Sequence, residues 1–170
     1  MYRTGIGFDA HRFSSERKLI LGGVEIPFEL GLEGHSDADV LTHAICDAML
    51  GAVGERDIGT HFPDNEPRYE GISSLALLKD ILILVGSKGY RVENIDTVIV
   101  CEKPKLQPYI SQIKRSIAAA IKISEEVLGV KATTTDGMGF TGRGEGMASY
   151  AVVLLKKRVM TSISHKKCGK

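Results

Sequence analysis

The sequence has no tryptophan, only three cysteines among its 170 residues and no long apolar run. Because the cysteines are odd in number and none forms a C-x-x-C pair, we expect reduced thiols rather than a zinc ribbon or a disulfide framework. The longest apolar stretches, such as residues 81–85, are far shorter than the roughly 20 residues that a membrane span needs. Residues 1–13 lack the apolar core of a secretory signal. We therefore expect a cytoplasmic protein that contacts no membrane.

Length and composition indicate one globular domain. Apolar residues make up 43% and charged residues 25% of the chain, and its 19 glycines follow no Gly-X-Y period, which argues against collagen and helical bundles. A chain of this length buries about two-thirds of its unfolded surface and needs neither a disulfide nor a metal to fold. No repeat or low-complexity linker divides it. We assign residues 1–158 to a single domain and residues 159–170 to a basic tail that we expect to be flexible.

Charge is divided unevenly along the chain. All 21 acidic residues precede residue 156, so the first 155 residues carry a formal net charge of −5 and the last 15 carry +6. A nucleic-acid-binding protein places its basic face on the folded part, so we expect no nucleic-acid partner. We expect a frayed terminus from residue 156 onward.

Periodicity predicts strands and helices in alternation. Strands are predicted over residues 3–12, 90–101, 130–135 and 147–155, with a hairpin over 18–28 that turns at Gly22-Gly23. Helices are predicted from Ser36 to near Gly51 or Gly54, over 73–85 and over 109–123, with a long polar loop over 55–71. This order predicts an α/β fold, an α+β sandwich with a mixed, four-stranded-type sheet and helices on one face.

Asp9, His11 and His43 have the composition of a metal site. Asp9 and His11 lie two apart on a predicted strand, so their side chains leave the same face. His43 is expected near the middle of the first helix. Two imidazoles and a carboxylate suit zinc with a fourth position open, whereas a hydrogen-bonded surface pair explains the same D-x-H spacing.

The surroundings of His43 suggest further roles. Asp39 and Asp47 stand one helical turn away on either side, where a carboxylate would orient the free ring nitrogen; an ordinary His–Asp pair has the same spacing. His35 and Ser36 are predicted at the start of that helix, whose free N–H groups attract phosphate. A capping role for Ser36 is compatible with phosphate binding.

A threonine run precedes a glycine-rich turn. The hydroxyls of this run suit phosphate and Asp136 suits a hard divalent cation, although threonines are also simply good strand formers. Arg143 suits an anion or a salt bridge with Glu145. The G-x-G-x-x-G at residues 137–142 lacks the following helix and the later acidic residue of a dinucleotide site, so we reject that function.

Seven blocks together resemble the 2-C-methyl-D-erythritol 2,4-cyclodiphosphate synthase family. In order they are GFDAH (7–11), GHSDADV (34–40), DIG (57–59), FPD (62–64), PK (104–105), KATTT (131–135) and GFTGRGEG (139–146). The resemblance implies conversion of 4-diphosphocytidyl-2-C-methyl-D-erythritol 2-phosphate to the cyclic diphosphate with release of CMP, in non-mevalonate isoprenoid biosynthesis. It also implies a homotrimer with sheets packed around the three-fold axis and active sites between subunits, zinc from one and the cytidine pocket from the next.

The resemblance also assigns residues. Asp9, His11 and His43 would bind Zn²⁺, and Asp136, where the family commonly has Glu, would help hold a second cation, Mg²⁺ or Mn²⁺. His35 and Thr134 would stabilise the transition state. Besides Asp9, His11 and Asp136, the substrate contacts would be His35, Ser36, Asp57, Ile58, Gly59, Phe62, Pro63, Asp64, Asn65, Glu66, Cys101, Glu102, Lys103, Pro104, Lys105, Leu106, Gln107, Thr133, Thr134 and Thr135. Phe140 and Arg143 would belong to a region that binds an anionic ligand, partly at the central cavity of the trimer.

Three other functions stay open on the residues alone. A zinc phosphodiesterase or pyrophosphatase would use a metal-bound water and release linear hydrolysis products. A nucleotide-binding or metal-sensing module would need the phosphate-binding residues without catalysis. A structural component of a trimer would need neither the Asp-x-His pair nor the threonine run.

Overall fold

The computed structural model describes residues 1–158. The strands are β1 (Tyr2–Ser14), β2 (Leu19–Leu21), β3 (Val24–Ile26), β4 (Gly31–Leu32), β5 (Tyr90–Val100), β6 (Leu128–Thr133) and β7 (Gly146–Lys157). The helices are α1 (Val40–Ala52), α2 (Ile58–His61), α3 (Ser74–Ser87), α4 (Ile110–Ile121) and α5 (Gly139–Gly142). Single 3₁₀ turns cover Pro67–Tyr69, Gln107–Tyr109 and Glu125–Val127.

The main sheet is mixed and five-stranded, in the order β4-β1-β7-β5-β6. β1 and β5 pair antiparallel with β7, β6 pairs parallel with β5, and the two-residue β4 extends the edge beside β1. The four long strands match the predicted sheet type. The short fifth strand was not predicted, because two residues are too few to show a period.

Helix α1 lies unusually close to β1 because two glycines face it. A Cβ built on Gly5 would lie 1.9 Å from the carbonyl oxygen of Ala48, and one on Gly7 would lie 2.0 Å from that of Ala44. Side chains alternate along a strand, so Asp9 and His11 continue the same face beyond the two glycines. The close approach therefore aims Asp9 and His11 at the amino-terminal end of α1.

The predicted hairpin is formed by β2 and β3, and Asp39 joins it to α1. The turn lies at Gly22 and Gly23, both with positive φ, as a type I′ hairpin turn requires. The fully buried Asp39 is the N-cap of α1 and accepts hydrogen bonds from the Thr42 amide at 3.0 Å and the Gly23 amide at 2.8 Å. This side chain fixes where the helix begins.

The sheet face away from the helices exposes apolar side chains. Ile6 pairs with Val152 and Phe8 with Tyr150 across β1 and β7, and the rings of Phe8 and Tyr150 lie 4.8 Å apart. Each of the four is at least 47% exposed. Soluble monomers rarely expose a contiguous apolar patch of this kind on a sheet.

Several predicted boundaries are wrong for a physical reason. Helix α1 begins at Val40 rather than Ser36, because Ala38 adopts a left-handed φ of 55° that a helix cannot contain. Lys156 and Lys157 belong to β7 rather than to a frayed terminus, since they pair with Tyr2 and Tyr90. The predicted basic tail, residues 159–170, lies outside the described residues.

The predicted polar loop over 55–71 also contains the short helix α2 and a 3₁₀ turn. Within residues 1–158, no helix combines the length and the apolar character that crossing a membrane requires. The cytoplasmic location expected from the sequence stays a prediction.

Candidate metal centre and phosphate site

Asp9, His11 and His43 converge at the amino-terminal end of α1. The Nε2 atom of His11 lies 2.9 Å from Oδ2 of Asp9, Nδ1 of His43 lies 3.0 Å from the same oxygen, and the two nitrogens are 3.2 Å apart. In the described part of the chain, no other group of three or more metal-ligating side chains comes this close together. His43 lies in the first turn of α1, not in the middle of the helix as predicted.

These distances suit a single divalent ion. Ligands at 2.0–2.1 Å from a tetrahedral zinc lie about 3.3 Å from one another, close to the three separations in the triad. The donor set, two imidazole nitrogens and one carboxylate oxygen, is one that zinc accepts, and three protein ligands leave a position for substrate. The residues present therefore fit a divalent metal.

The triad is electrostatically coupled. Burial disfavours the charged form of Asp9, but its hydrogen bonds with His11 and His43 and their charges outweigh burial and lower its pKa well below the ordinary value. Burial also opposes the charge of His43, yet the hydrogen bond and charge of Asp9 outweigh it and raise the pKa of His43. The carboxylate stays ionised and favours positive charge beside it, as a cation site requires.

The second nitrogen of His43 has partners other than those predicted. Its Nε2 lies 2.8 Å from Oγ of Ser74 and 3.1 Å from Oγ of Ser36. The prediction that Asp39 or Asp47 orients this ring is wrong. Asp39 is turned toward the hairpin, and Asp47 accepts a hydrogen bond from the Ile58 amide at 2.7 Å.

His35 and Ser36 lie in a loop before α1, so their predicted place at the helix terminus is wrong. The guanidinium of Arg17 donates to the carbonyl oxygens of Gly34 and Ser36 and so holds the loop on both sides of His35. The Ser36 hydroxyl accepts from the Ala38 amide at 3.1 Å. Both His35 and Ser36 nonetheless line the pocket beside the triad.

That pocket has a volume of about 270 Å³. Its lining residues are His11, Gly34, His35, Ser36, His43, Ile58, Gly59, Phe62, Asp64, Tyr69, Ile72 and Leu77. Two triad residues, His11 and His43, line it together with polar side chains (His35, Ser36 and Asp64) and a group of larger apolar ones (Ile58, Phe62, Tyr69, Ile72 and Leu77). Of the loop residues predicted to contact substrate, Asp57, Pro63, Asn65 and Glu66 do not line it.

Helix α2 carries the part of the loop that closes this pocket. Asp57 caps α2 by accepting from the Thr60 amide at 2.9 Å, and Asp47 holds the Ile58 amide from α1. Burial raises the pKa of Asp47, although the Ile58 hydrogen bond opposes that rise. The side chain of Asp47 therefore positions the α2 segment rather than the imidazole of His43.

A second pocket, of about 210 Å³, brings together most of the residues predicted for cytidine and phosphate. It is lined by Cys101, Glu102, Pro104, Lys105, Leu106, Gln107, Ala132, Thr133 and Thr134. Lys103, Thr135 and Asp136 lie outside its lining. Oε1 of Glu102 accepts hydrogen bonds from the amides of Thr135 at 3.0 Å and Gly137 at 3.3 Å, so it joins the two segments.

The two pockets share no residue within one chain. Strands β7 and β5 lie between β1, which carries Asp9 and His11, and β6, which ends at Thr133. Three strand spacings amount to about 14 Å. Thr134 is exposed, and its hydroxyl lies 3.3 Å from Oδ1 of Asp136, which is also exposed.

The remaining predicted residues lie in the glycine-rich segment after β6. Phe140 is partly exposed and lines a pocket beside His11 and Glu145. Arg143 contacts both carboxylate oxygens of Glu145, at 2.7 and 3.4 Å. Two partners were predicted for Arg143, an anion or Glu145, and the described chain contains the salt bridge with Glu145.

Sequence reasoning missed Arg17, Ser74 and the pocket residues Tyr69, Ile72 and Leu77. Ser74 lies at the start of the predicted helix over 73–85 without any sign of a role at a site, and Arg17 belongs to no motif. Arg17 donates to carbonyl oxygens of the loop around His35, and the buried Ser74 hydroxyl contacts the His43 imidazole. Both contacts join segments that are distant in the chain, for which a single sequence contains no local signal.

Comparison with known proteins gives consistent matches. The YgbB family model matches residues 2–156. A 2-C-methyl-D-erythritol 2,4-cyclodiphosphate synthase of Syntrophotalea carbinolica is 57% identical over 157 residues, which cover 92% of this chain and 96% of the relative.

Two solved structures have the same fold. The bifunctional IspDF of Campylobacter jejuni matches with a TM-score of 0.89 and 41% identity, over 92% of this chain and 42% of that longer chain. The CDP complex of IspF from Plasmodium falciparum matches with a TM-score of 0.82 and 32% identity, over 93% of this chain and 97% of that one. The resemblance drawn from the sequence is confirmed. The chain belongs to the YgbB family, whose matching curated relative is a 2-C-methyl-D-erythritol 2,4-cyclodiphosphate synthase.

Proposed function

We propose that the chain converts 4-diphosphocytidyl-2-C-methyl-D-erythritol 2-phosphate into 2-C-methyl-D-erythritol 2,4-cyclodiphosphate and CMP, as a lyase of isoprenoid biosynthesis. Family membership supports the reaction. The observation that carries the assignment to residues is the convergence of Asp9, His11 and His43 beside a pocket of about 270 Å³.

Asp9, His11 and His43 would hold Zn²⁺. When bound, the ion supplies Lewis-acid charge neutralisation for phosphate oxygens and a template that orients them. A hard cation, Mg²⁺ or Mn²⁺, would be held with the help of Asp136, whose carboxylate is exposed next to Thr134. These cations reconcile an acidic protein body with a highly anionic substrate, because a bound cation reverses the local field.

The chain's own residues position the phosphates. His35 and Ser36 face the pocket from a loop that Arg17 holds by its carbonyl oxygens. The fixed loop presents the His35 imidazole and the Ser36 hydroxyl to phosphate oxygens without reorganisation, which is the form of electrostatic stabilisation that costs least during reaction. Thr134 would serve the same purpose from the second pocket.

The reaction needs positioning more than proton transfer. An oxygen of the 2-phosphate attacks the β-phosphorus of the same molecule, the new P–O bond closes the ring, and the bond to the α-phosphate breaks to release CMP. The attacking oxygen is already ionised at neutral pH, so no strong general base is required. Folding the substrate so that the two phosphates meet contributes several kcal/mol, and the transferring group gains from positioned donors.

A homotrimer would complete the site. Strand β1, which carries Asp9 and His11, and strand β6, which Thr134 follows, lie about 14 Å apart within one chain, and the two pockets share no residue. A neighbouring copy would bring its cytidine pocket to this chain's triad. The apolar patch of Ile6, Phe8, Tyr150 and Val152 would pack around the three-fold axis. Phe140 and Arg143 would lie near the central cavity as contacts for an anionic ligand.

The test follows both products of the reaction. We expect the purified protein to release CMP from the cytidine diphosphate substrate, to lose this activity with a chelator, and to regain it with Zn²⁺ and Mg²⁺. In water enriched in ¹⁸O, the cyclic product should contain no solvent oxygen. Linear products labelled with ¹⁸O would instead indicate a metal-dependent hydrolase, and binding of CDP without turnover would indicate a nucleotide-binding module.

A further inference from the structure

We infer that Asp37 and Ser74 are positioning residues that hold the imidazole of His43 with its proton on Nε2, so that Nδ1 presents a lone pair to the metal position. The inference rests on the proposed metal site. It goes further, because it names the side chains that decide which nitrogen of His43 is available as a ligand.

The hydroxyl of Ser74 has only one place for its hydrogen. Ser74 is fully buried at the start of α3, and its Oγ contacts Oδ1 of Asp37, whose Oδ2 accepts the Ser74 amide at 3.0 Å. An ionised carboxylate accepts hydrogen bonds and donates none. The Ser74 hydroxyl hydrogen is therefore directed at Asp37.

With that hydrogen committed, the Ser74 oxygen can only accept from His43. The Nε2–Oγ distance is 2.8 Å, so Nε2 must be the protonated nitrogen. A histidine that binds a metal is a neutral imidazole with one N–H, so in the metal-bound protein Nδ1 is the unprotonated nitrogen. Nδ1 is the atom that lies 3.0 Å from Oδ2 of Asp9 and 3.2 Å from Nε2 of His11.

The hydroxyl of Ser36, the second one beside this nitrogen, is compatible with the same assignment. Its Oγ lies 3.1 Å from Nε2 of His43 and already accepts the Ala38 amide at 3.1 Å. A hydroxyl oxygen has two lone pairs, so the second is available to the same Nε2–H. The chain thus places two hydroxyl oxygens beside one ring nitrogen and leaves the other for the triad.

The arrangement acts on metal affinity. A ligand ring fixed in orientation and tautomer loses no freedom when the metal binds, and removal of such a partner commonly weakens binding by about 10- to 100-fold. Neither Asp37 nor Ser74 lines the pocket or belongs to the triad. Their effect on the reaction passes through His43.

Metal-binding measurements on matched variants test the inference. Zinc dissociation constants would be measured against a competing chelator for the wild-type protein, Ser74→Ala, Ser74→Thr and Ser73→Ala. Ser73 is the matched control, because it is the adjacent residue, exposed, and its side chain caps nothing. We expect Ser74→Ala to weaken zinc binding about 10- to 100-fold, and Ser74→Thr and Ser73→Ala to stay close to wild type.

Imidazole ¹⁵N NMR of the zinc-loaded wild-type protein gives a second readout. We expect the His43 signals of a ring protonated at Nε2. Signals of a ring protonated at Nδ1 would overturn the inference, as would equal zinc affinities for Ser74→Ala and Ser73→Ala.

If Ser74→Ala does not fold, Asp37→Asn provides the same test, because its amide presents an NH₂ group to the Ser74 amide or hydroxyl. A wild-type protein that binds no zinc would overturn the metal site itself.

Discussion

Nδ1 of His43 lies 3.0 Å from Oδ2 of Asp9, although 34 positions separate the two residues in the sequence. The contact exists because Gly5 and Gly7 let α1 approach β1, which brings the first turn of the helix beside the strand residues that follow the glycines. The geometry of the triad is therefore a consequence of how one helix packs on one strand.

Replacement of His43 by alanine should abolish metal binding without unfolding the chain. His43 is one of three ligands, and Asp39 still caps α1 in the variant. We expect stoichiometric zinc in the wild-type protein and none in His43→Ala, by elemental analysis with circular dichroism as the check on folding. His61→Ala, outside the triad, should keep its zinc. Retained zinc in His43→Ala would contradict the assignment.

Charge on the apolar sheet face should dissociate the proposed trimer. Ile6 on this face is 71% exposed and Ile83 on α3 is 70% exposed. Ile83→Lys is therefore the matched control for placing a lysine at an exposed isoleucine. We expect Ile6→Lys to sediment as a monomer, to lose CMP release and to keep its zinc, while Ile83→Lys matches wild type. A trimeric Ile6→Lys protein would place the interface elsewhere.

Removal of the Asp47 carboxylate should weaken substrate binding but not metal binding. Asp47 holds the Ile58 amide at 2.7 Å, and a hydrogen bond of about 1 kcal/mol corresponds to a roughly 3- to 10-fold rise in KM. Steady-state kinetics of Asp47→Ala would measure the rise in KM. Asp80→Ala is the control, because Asp80 is exposed on α3. Weaker zinc binding by Asp47→Ala would indicate instead that Asp47 contributes to the metal site.

A methyl group at Gly7 should destabilise the fold. The added Cβ would lie 2.0 Å from the Ala44 carbonyl oxygen and 2.7 Å from the Ala48 amide, so β1 and α1 must separate, at a cost of about 3 kcal/mol. Gly51 lies in α1, and a Cβ added there would have its nearest atom at 3.9 Å. Gly51→Ala should therefore raise the free energy of unfolding by about 0.5–1 kcal/mol. Urea unfolding measures both changes, and a neutral Gly7→Ala would contradict the close packing.

The thiol of Cys101 should make stability depend on pH under alkaline conditions. Burial raises its pKa from 9.0 to about 11. Between these values the unfolded state loses a proton that the folded state keeps, so the free energy of unfolding falls as pH rises, by about 2–3 kcal/mol in all. Urea unfolding of wild type and Cys101→Ala from pH 8 to 11 isolates this contribution. A difference between them that stays constant with pH would refute it.

The elements with a strong period were predicted well. The hairpin over β2 and β3, helices α3 and α4 and the long strands β1, β5 and β7 follow from apolar spacing and glycine turns, which act within a few residues. The start of α1 was predicted four residues early, because Ala38 is left-handed and Asp37 is held by Ser74 on another helix. Such contacts override a local capping pattern.

The sequence alone determined the order of the longer strands and helices, the shared face of Asp9 and His11, and, through seven blocks in order, the family. It left the geometry of the triad open, since no local period relates His43 to a strand 34 positions earlier. Only the tertiary structure decided that Asp47 holds Ile58, that Arg17 holds the loop around His35, and that Ser74 faces His43. The physical reason is that a hydrogen bond depends on distance and angle in space, and the chain brings those partners together only when its core is packed.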